Sequence, residues 1–361
     1  MACLLSACGG KGKHRSDAAE GDTLQLRYAH YLTLIEYPEY VKAVLRNPWD
    51  TLKVLHTYLL VDSGKALPAK LPEGTVVRVP LRHSLVYSSV HCSLLAELGA
   101  EQTVAGVCDK AYISLPFVQE GCSRGRIVDA GSSMNPDIER VIDMRPDAIL
   151  LSPFENSGGY GRIEKLNIPI VECADYMETS PLGRAEWIRF FGLLVGKKDK
   201  ADSIFRQVET DYLTWKEKVQ DIKEKKTVFS ELKSTAAWYV PGGRSTMAQL
   251  FADAGARYIF AETPQSGSVA LPVESVFDRA QHADYWLIKY NRPTDMTLSQ
   301  LKSEYGLYAR FDAFGQHRVY GCNTGRIPFY EETPFHPDRL LKDLIGIFYP
   351  DEVKDASPVY Y

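Results

Sequence analysis

The chain has 361 residues, of which 45% are hydrophobic and 24% charged, and its formal net charge is −4. These values are typical of a globular protein that is long enough to bury two cores, so two domains are expected. The small net charge, without a dominant charged block, argues against nucleic acid as the main partner. No apolar run in the sequence approaches the length of a membrane span.

The first residues contain a short pattern of the kind found at lipoprotein processing sites. Leu5-Ser6-Ala7-Cys8 is followed by glycine and has the spacing of a bacterial lipobox, in which lipid is attached to the cysteine sulfur. We predict lipid attachment at Cys8, with residues 1–22 as a signal remnant and polar tether. Because little sequence precedes this pattern, we expect the natural chain to start earlier. The alternative is an ordinary N-terminus that contains a cysteine.

Residues 23–74 are predicted to form an N-terminal β extension. The stretches 24–28 and 52–58 alternate between apolar and polar residues, which predicts antiparallel strands. A turn is expected near Asn47-Pro48.

The pattern changes after Thr75, and residues 75–180 are predicted to form a first α/β lobe. Predicted strands alternate with predicted helices along this stretch, which is typical of a parallel sheet. The strands are expected at 76–80, 104–107, 148–152 and 168–172, and the helices at 91–98 and 136–145.

Residues 181–225 carry long apolar stripes that predict an almost continuous linking helix, with a break at Gly196. Residues 226–335 are predicted to form a second α/β lobe. They repeat the alternation of strands and helices of the first lobe, with strands at 228–232 and 258–260 on either side of a helix at 247–254. Residues 336–361 are predicted to form a terminal helix and a loosely held tail. The predicted fold class is therefore α/β, with two Rossmann-like lobes joined by a long helix and an N-terminal β-rich extension.

One short pattern occurs once in each predicted lobe. A proline opens each copy, an apolar helical stripe follows, and a buried strand comes next, at 148–151 in the first lobe and at 285–288 in the second. In each copy one glutamate directly follows the first apolar residue of the stripe, Glu139 and Glu274. The matched positions suggest paired carboxylates offered to a two-fold partner.

In this order of features the chain resembles the bacterial periplasmic substrate-binding proteins of ABC importers, in the class that serves iron-siderophores, haem and cobalamin. The resemblance covers residues 75–349 and rests on the lipobox-like start, the two proline–glutamate segments, the linking helix and the terminal helix. It implies a non-enzymatic solute-binding protein that is anchored by its N-terminal lipid in the periplasm. The implied partners are a permease dimer with its ATPase, and Glu139 and Glu274 would dock against permease arginines.

Ligands of open α/β sheets bind beyond the carboxyl ends of the strands, so the cleft residues are expected just after each strand. Tyrosine and tryptophan offer flat surface to a planar ligand, and arginine can bind carboxylate or catecholate oxygens. The alternative for any single aromatic residue is ordinary packing. The predicted ligand-binding residues are Tyr87, Tyr112, Phe154, Trp238, Tyr239, Arg244, Tyr290 and Arg326.

The resemblance implies no cofactor, and the expected cargo is an iron complex. Cobalamin binders of this family place tryptophan shortly before each docking glutamate, and residues 131–134 and 266–269 contain none, which argues against cobalamin. A ferric siderophore is the default because of its frequency as a cargo of the family, and no residue of this chain specifies it. Haem remains open, because an axial tyrosine or histidine is available at His83, Tyr87 or Tyr112.

Two further hypotheses compete with import. An α/β enzyme is one, but the glycine-rich stretch 242–246 lacks the ending of a phosphate loop, and the sequence has no nucleophile elbow. The other is a surface lipoprotein that passes ligand to an outer-membrane system. The cysteines have no metal-ligand spacing and are expected to be mostly buried small hydrophobes, with pairing of Cys108 and Cys122 left open.

Overall fold

The computed structural model describes residues 21–155, 159–353 and 358–361. The predicted lipid attachment at Cys8 and nearly all of the predicted tether lie outside these residues. Within the described ranges, no helix is both long enough and apolar enough to cross a membrane.

The N-terminal extension is a β-sheet whose strands lie side by side in chain order. Its strands are β1 (Asp22–Leu24), β2 (Leu32–Glu36), β3 (Val41–Arg46), β4 (Val54–Asp62) and β5 (Thr75–Val79). Neighbours are antiparallel except β5, which runs parallel to β4. The strand predicted at 76–80 therefore completes this sheet instead of opening the first lobe.

The strand predicted at 24–28 is wrong beyond Leu24, because the following backbone is bonded to two buried carboxylates. Glu186 accepts the N–H groups of residues 27–29 at 2.8–3.0 Å. Glu178 accepts those of residues 30–31 at 2.9 Å. Backbone donors engaged in this way are not available to a strand ladder. The two glutamates attach the extension to the segment that links the lobes.

The first lobe is an α/β unit with a parallel sheet in the order β12-β11-β6-β7-β8. A small antiparallel hairpin, β9–β10, lies outside that sheet. The elements are β6 (Ser84–Val86), α1 (Ser89–Glu97), β7 (Val104–Val107), α2 (Pro116–Ser123), β8 (Val128–Asp129), β9 (Gly131–Ser132), β10 (Asn135–Pro136), α3 (Ile138–Met144), β11 (Ala148–Leu151) and β12 (Ile170–Glu172).

The linking segment contains α4 (Pro181–Glu186), α5 (Ile188–Leu194) and α6 (Lys198–Val219). The predicted break at Gly196 is present, since this residue has a φ of +66°, which glycine adopts without strain. A second interruption at Trp187, between α4 and α5, was not predicted. The long helix α6 buries an apolar stripe that includes Phe205, Val208 and Tyr212.

The second lobe has a parallel sheet in the order β19-β18-β13-β16 and a separate antiparallel sheet, β14-β15-β17. Its elements are β13 (Thr227–Ser230), β14 (Lys233–Ser234), β15 (Ala237–Pro241), α7 (Thr246–Asp253), β16 (Arg257–Tyr258), β17 (Ser268–Pro272), α8 (Val273–Ala280), β18 (Tyr285–Tyr290), α9 (Leu298–Glu304), α10 (Asp312–Gly315), β19 (Val319–Asn323) and α11 (Phe329–Glu332). The terminal helix α12 (Pro337–Phe348) packs on α6.

The two lobes repeat one topology, as the sequence predicted. Strands β6, β7, β11 and β12 occupy the same relative places as β13, β16, β18 and β19. Ser88 caps α1 and Ser245 caps α7, each through its side-chain oxygen. Both helices are followed by a glycine with positive φ, Gly99 and Gly255. The architecture is therefore the predicted pair of Rossmann-like lobes joined by a long helix.

The last residues pack onto the second lobe, which differs from the predicted loose tail. Asp343 accepts the backbone N–H groups of Val359 and Tyr360 at 2.8 and 2.7 Å. The Tyr360 side chain is fully buried, and its hydroxyl donates to Glu332. Burying this ring compensates for ordering the segment.

A buried histidine joins the first lobe to the start of α12. His336 Nε2 lies 2.7 Å from a carboxylate oxygen of Glu97 on α1. Burial alone would lower its pKa, but the carboxylates of Asp338 and Glu97 outweigh it and raise the pKa from 6.5 to about 9. Since the folded-state pKa is raised, the protonated form stabilises the fold fully below pH 6.5. That stabilisation is lost as the pH rises through about 9.

We expect this contact to make stability depend on pH. Between about pH 6 and about pH 9.5, the free energy of unfolding should fall by roughly 3 kcal/mol more in the natural protein than in His336→Gln. Urea titrations of both proteins at the two pH values measure the difference. Parallel pH profiles for the two proteins would show that His336 gains no proton affinity on folding.

Candidate ligand-binding site

The strand order of the first lobe creates a crevice at the carboxyl ends of two central strands. Strand β6 pairs with β7 on one side and with β11 on the other, both in parallel. The chain order reverses between β6 and β11, so the loops that follow them leave in opposite directions. Such switch points are where open α/β sheets bind ligands.

A pocket of about 410 Å³ lies at this point. Three aromatic side chains line it, Tyr87 directly after β6, Phe154 after β11 and Tyr160 before β12. The remaining lining residues are Ser133, Met134, Asn135, Pro136, Ile138, Gly159, Gly161, Arg162 and Ile163. The structure thus brings Tyr87 and Phe154, both predicted from the sequence, into one site.

Tyr87 is held by its backbone, whose N–H donates to the Leu150 carbonyl at 3.0 Å. Its hydroxyl is buried beside the Cys108 thiol and forms no hydrogen bond with an oxygen or nitrogen of the described residues. Burial raises the pKa of this phenol, and the neighbouring Cys108 raises it further. Tyr87 therefore presents a neutral phenol with unused hydrogen-bonding capacity.

Tyr160 and Arg162 supply the polar edge of the pocket. The Tyr160 hydroxyl donates to Glu172 Oε1 at 2.6 Å, and burial together with this carboxylate raises the pKa of the phenol. Arg162 is the charged side chain among the lining residues; it is exposed, and it donates to the Asn135 side-chain oxygen at 3.3 Å. The pocket combines aromatic walls with one exposed arginine at its edge.

Tyr112 lies in a separate, shallower depression, next to Asp109 and Asp129. Its side chain is 84% exposed. The β9–β10 hairpin contributes Ser132 to this depression and Asn135 to the pocket, so it separates the two. The structure does not place Tyr112 with Tyr87.

Trp238 is not a surface residue, and its prediction as a ligand contact is wrong. The side chain is 0% exposed, and its Nε1–H donates to the Ser230 carbonyl at 3.1 Å. It packs against Phe229, Trp286 and Tyr308 in the core of the second lobe. Residues alternate between the faces of a strand, so Trp238 on β15 points inward while Tyr239 is half exposed.

The other predicted residues of the second lobe lie at its surface or are engaged locally. Arg244 is exposed in the loop before α7. Tyr290 is half-buried at the end of β18, and its hydroxyl accepts the Met296 N–H at 3.0 Å. Arg326 forms an ion pair with Asp295 at 3.0 Å. Within the described ranges, no hydrogen bond or ion pair joins these residues to the first-lobe pocket.

The two matched glutamates occupy the same position in equivalent helices. Glu139 is the second residue of α3, and Glu274 is the second residue of α8. Both are exposed, and neither forms an ion pair or side-chain hydrogen bond within the described part of the chain. Both carboxylates are therefore free to pair with cations on another molecule.

The predicted ligand-binding residues did not include Met134, Tyr160 or Arg162, which all line the pocket. Met134 and Arg162 follow no predicted strand, so the rule about strand ends could not find them. In the described ranges, no group of three or more metal-ligating side chains is present. Cys108 and Cys122 are separate thiols, which answers the question of their pairing.

Comparisons with known proteins agree with this architecture. A model of the periplasmic binding protein family matches residues 86–324. An uncharacterized lipoprotein of Methanocaldococcus jannaschii is 27% identical over 358 residues, covering 93% of this chain and 84% of that protein. The molybdate-binding MolA of an ABC transporter of Haemophilus influenzae, solved with molybdate, has a TM-score of 0.63 at 15% identity, covering 78% of this chain and 90% of that one. The haem-binding HutB of Vibrio cholerae has a TM-score of 0.58 at 14% identity, covering 74% of this chain and 100% of that one.

The fold and its crevice define a two-lobed solute-binding protein. The family match covers most of the chain, and the chain belongs to the periplasmic binding protein family. Members of this family are non-enzymatic components of ABC transporters. The hypothesis of an α/β enzyme is thereby set aside.

Proposed function

We propose that this protein captures an organic iron chelate, a ferric siderophore, between its two lobes and delivers it to an ABC permease dimer with its ATPase. The observation that carries the proposal is the aromatic pocket at the switch point of the first lobe. Its volume of about 410 Å³ lies in the range of small-molecule sites and far exceeds that of a single ion.

The pocket chemistry suits a planar, anionic chelate. Tyr87, Phe154 and Tyr160 offer ring faces and edges on which aromatic groups of a ligand can stack. Arg162 can pair with catecholate or carboxylate oxygens at the edge. Tyr239 and Arg244 are both exposed on the second lobe. In the proposed complex they would form the opposing wall, where Tyr239 would stack on the ligand and Arg244 would pair with its oxygens.

Haem is the alternative that a specific observation supports. The Tyr87 hydroxyl forms no hydrogen bond with an oxygen or nitrogen of the described residues, and a phenol oxygen can serve as an axial ligand to ferric iron. HutB, a relative by fold, is a haem-binding protein. A bare oxyanion such as molybdate is less favoured, because the pocket offers one cation and a mainly apolar wall.

The two matched glutamates would dock the protein on the permease, and the N-terminal cysteine would anchor it to a membrane. Glu139 and Glu274 would each pair with arginines of one permease subunit, since carboxylate–guanidinium pairs can be bidentate. A lipid at Cys8 would hold the protein to a membrane in the periplasm.

Titration of the purified protein with a ferric catecholate siderophore, haemin, cyanocobalamin and molybdate tests the proposal. We expect the siderophore to bind with a Kd of about 1 μM or tighter and the other three at least about tenfold more weakly. Phe154→Ala should weaken binding by about tenfold, whereas Tyr112→Ala, outside the pocket, should not. Tight binding of haemin alone would replace the siderophore by haem, and no binding of any probe would contradict capture of a metal chelate.

A further inference from the structure

We infer that the N-terminal β extension takes part in ligand binding, because His56 on β4 positions the pocket residue Tyr160 through Glu172. The inference rests on the proposed ligand pocket of the first lobe. His56 and its partner strand precede residue 86, where the family match begins, so this contribution would be particular to chains with such an extension.

The pocket wall contacts Glu172 through Tyr160. Tyr160 lines the pocket, and its hydroxyl donates to Glu172 Oε1 at 2.6 Å. A bond of this length to a carboxylate is charge-assisted and strongly directional. It selects one orientation of a ring that would otherwise be free to choose among rotamers.

Tyr58 and His56 of the N-terminal extension contact Glu172. Glu172 is the last residue of β12, an edge strand of the first-lobe sheet, and its side chain is buried. Its backbone N–H donates to the Tyr58 hydroxyl at 2.8 Å. Its second carboxylate oxygen lies 3.2 Å from His56 Nδ1. That oxygen has no hydrogen bond within the described residues, and the imidazole of His56 is the polar side chain that lies beside it.

Tyr58 and Thr75 orient the ring of His56. Its ring stacks on Tyr58, with centroids 4.4 Å apart and an angle of 14° between the planes. Its Nε2 lies 2.7 Å from the Thr75 hydroxyl on β5. Thr75 can donate to Nε2, in which case the ring proton sits on Nδ1, the nitrogen that lies 3.2 Å from the Glu172 carboxylate. Residues of β4 and β5 thus fix the His56 ring, which is the end of this series of contacts farthest from the pocket.

Removal of His56 would take away the polar ring that lies beside the buried carboxylate of Glu172. Without that ring the Glu172 side chain can turn toward water, and this movement weakens its bond to Tyr160. We therefore assign His56 and Glu172 as positioning residues for Tyr160. Neither of them lines the pocket.

A test that needs no ligand follows the ring directly. With Tyr160 replaced by 3-fluorotyrosine, the ligand-free protein should give one sharp ¹⁹F signal. In His56→Gln the signal should shift and broaden, whereas in His30→Gln it should not. His30 is a matched control, because it is an exposed histidine of the same extension. An unchanged signal in folded His56→Gln would overturn the inference, whatever the ligand is.

A second test uses the ferric catecholate siderophore as the probe. We expect His56→Gln to weaken its binding about threefold to tenfold, and the same substitution in a Tyr160→Phe background to have no further effect. Equal effects in both backgrounds would contradict positioning through Tyr160. If no probe binds, the proposed function fails while the ¹⁹F experiment still decides the role of His56.

Discussion

Replacement of both Glu139 and Glu274 with alanine is expected to abolish solute uptake while leaving solute affinity unchanged. Both side chains are exposed on the first turn of equivalent helices and form no polar contact within the described residues. Their removal therefore breaks no polar side-chain contact of the folded monomer and costs only the small interaction with each helix dipole. At an interface, loss of one partner of a buried charge pair costs about 2–5 kcal/mol, so two losses should weaken permease association by at least about 100-fold.

Reconstituted transport and solute titration of the same preparation check this expectation. The matched control is Glu217→Ala, which removes an exposed glutamate from α6, away from both helices. The control should transport normally. Normal transport by the double alanine variant would refute docking through these carboxylates, and a parallel loss of solute affinity would place them in the binding site.

Lys289→Met is expected to reduce the free energy of unfolding by about 3–5 kcal/mol. Lys289 on β18 forms an ion pair with Glu231, which directly follows the neighbouring strand β13, and both side chains are largely buried. Burial alone would lower the pKa of Lys289, but Glu231 outweighs it and the pKa lies above its ordinary value. The lysine is therefore charged, and its removal leaves an uncompensated carboxylate.

Urea unfolding of Lys289→Met, Glu231→Gln and the double variant measures the interaction free energy between these two side chains. The double variant should recover a large part of the loss, because no unpaired charge remains. A cost below about 1 kcal/mol for Lys289→Met would show that water solvates Glu231 in the folded protein.

The duplicated topology could be predicted because each of its elements is determined by residues that are close together in the sequence. Apolar stripes, capping serines and terminal glycines recur in the same order in both halves, and the positions of Glu139 and Glu274 follow from that register. The terminal helix α12 lies within the stretch predicted to contain it, since Pro337 opens it and an apolar stripe runs through it. Local signals of this kind do not depend on distant parts of the chain.

The errors concern contacts between distant residues. Trp238 was expected in the cleft, because the sequence does not show which face of β15 meets the parallel sheet. Strand β5 was assigned to the wrong sheet, since alternation predicts a strand but not its partner. The irregular path of residues 27–31 depends on Glu178 and Glu186, which lie about 150 residues away in sequence and carry no periodic signal.

The most direct measurement is a crystal structure of the protein with the tightest-binding solute of the titration. The account predicts that the solute fills the first-lobe pocket, touches Tyr87 and Phe154, and meets Tyr239 or Arg244 from the opposite lobe. A solute bound elsewhere, or one that contacts neither aromatic residue of the first lobe, would contradict capture between the lobes.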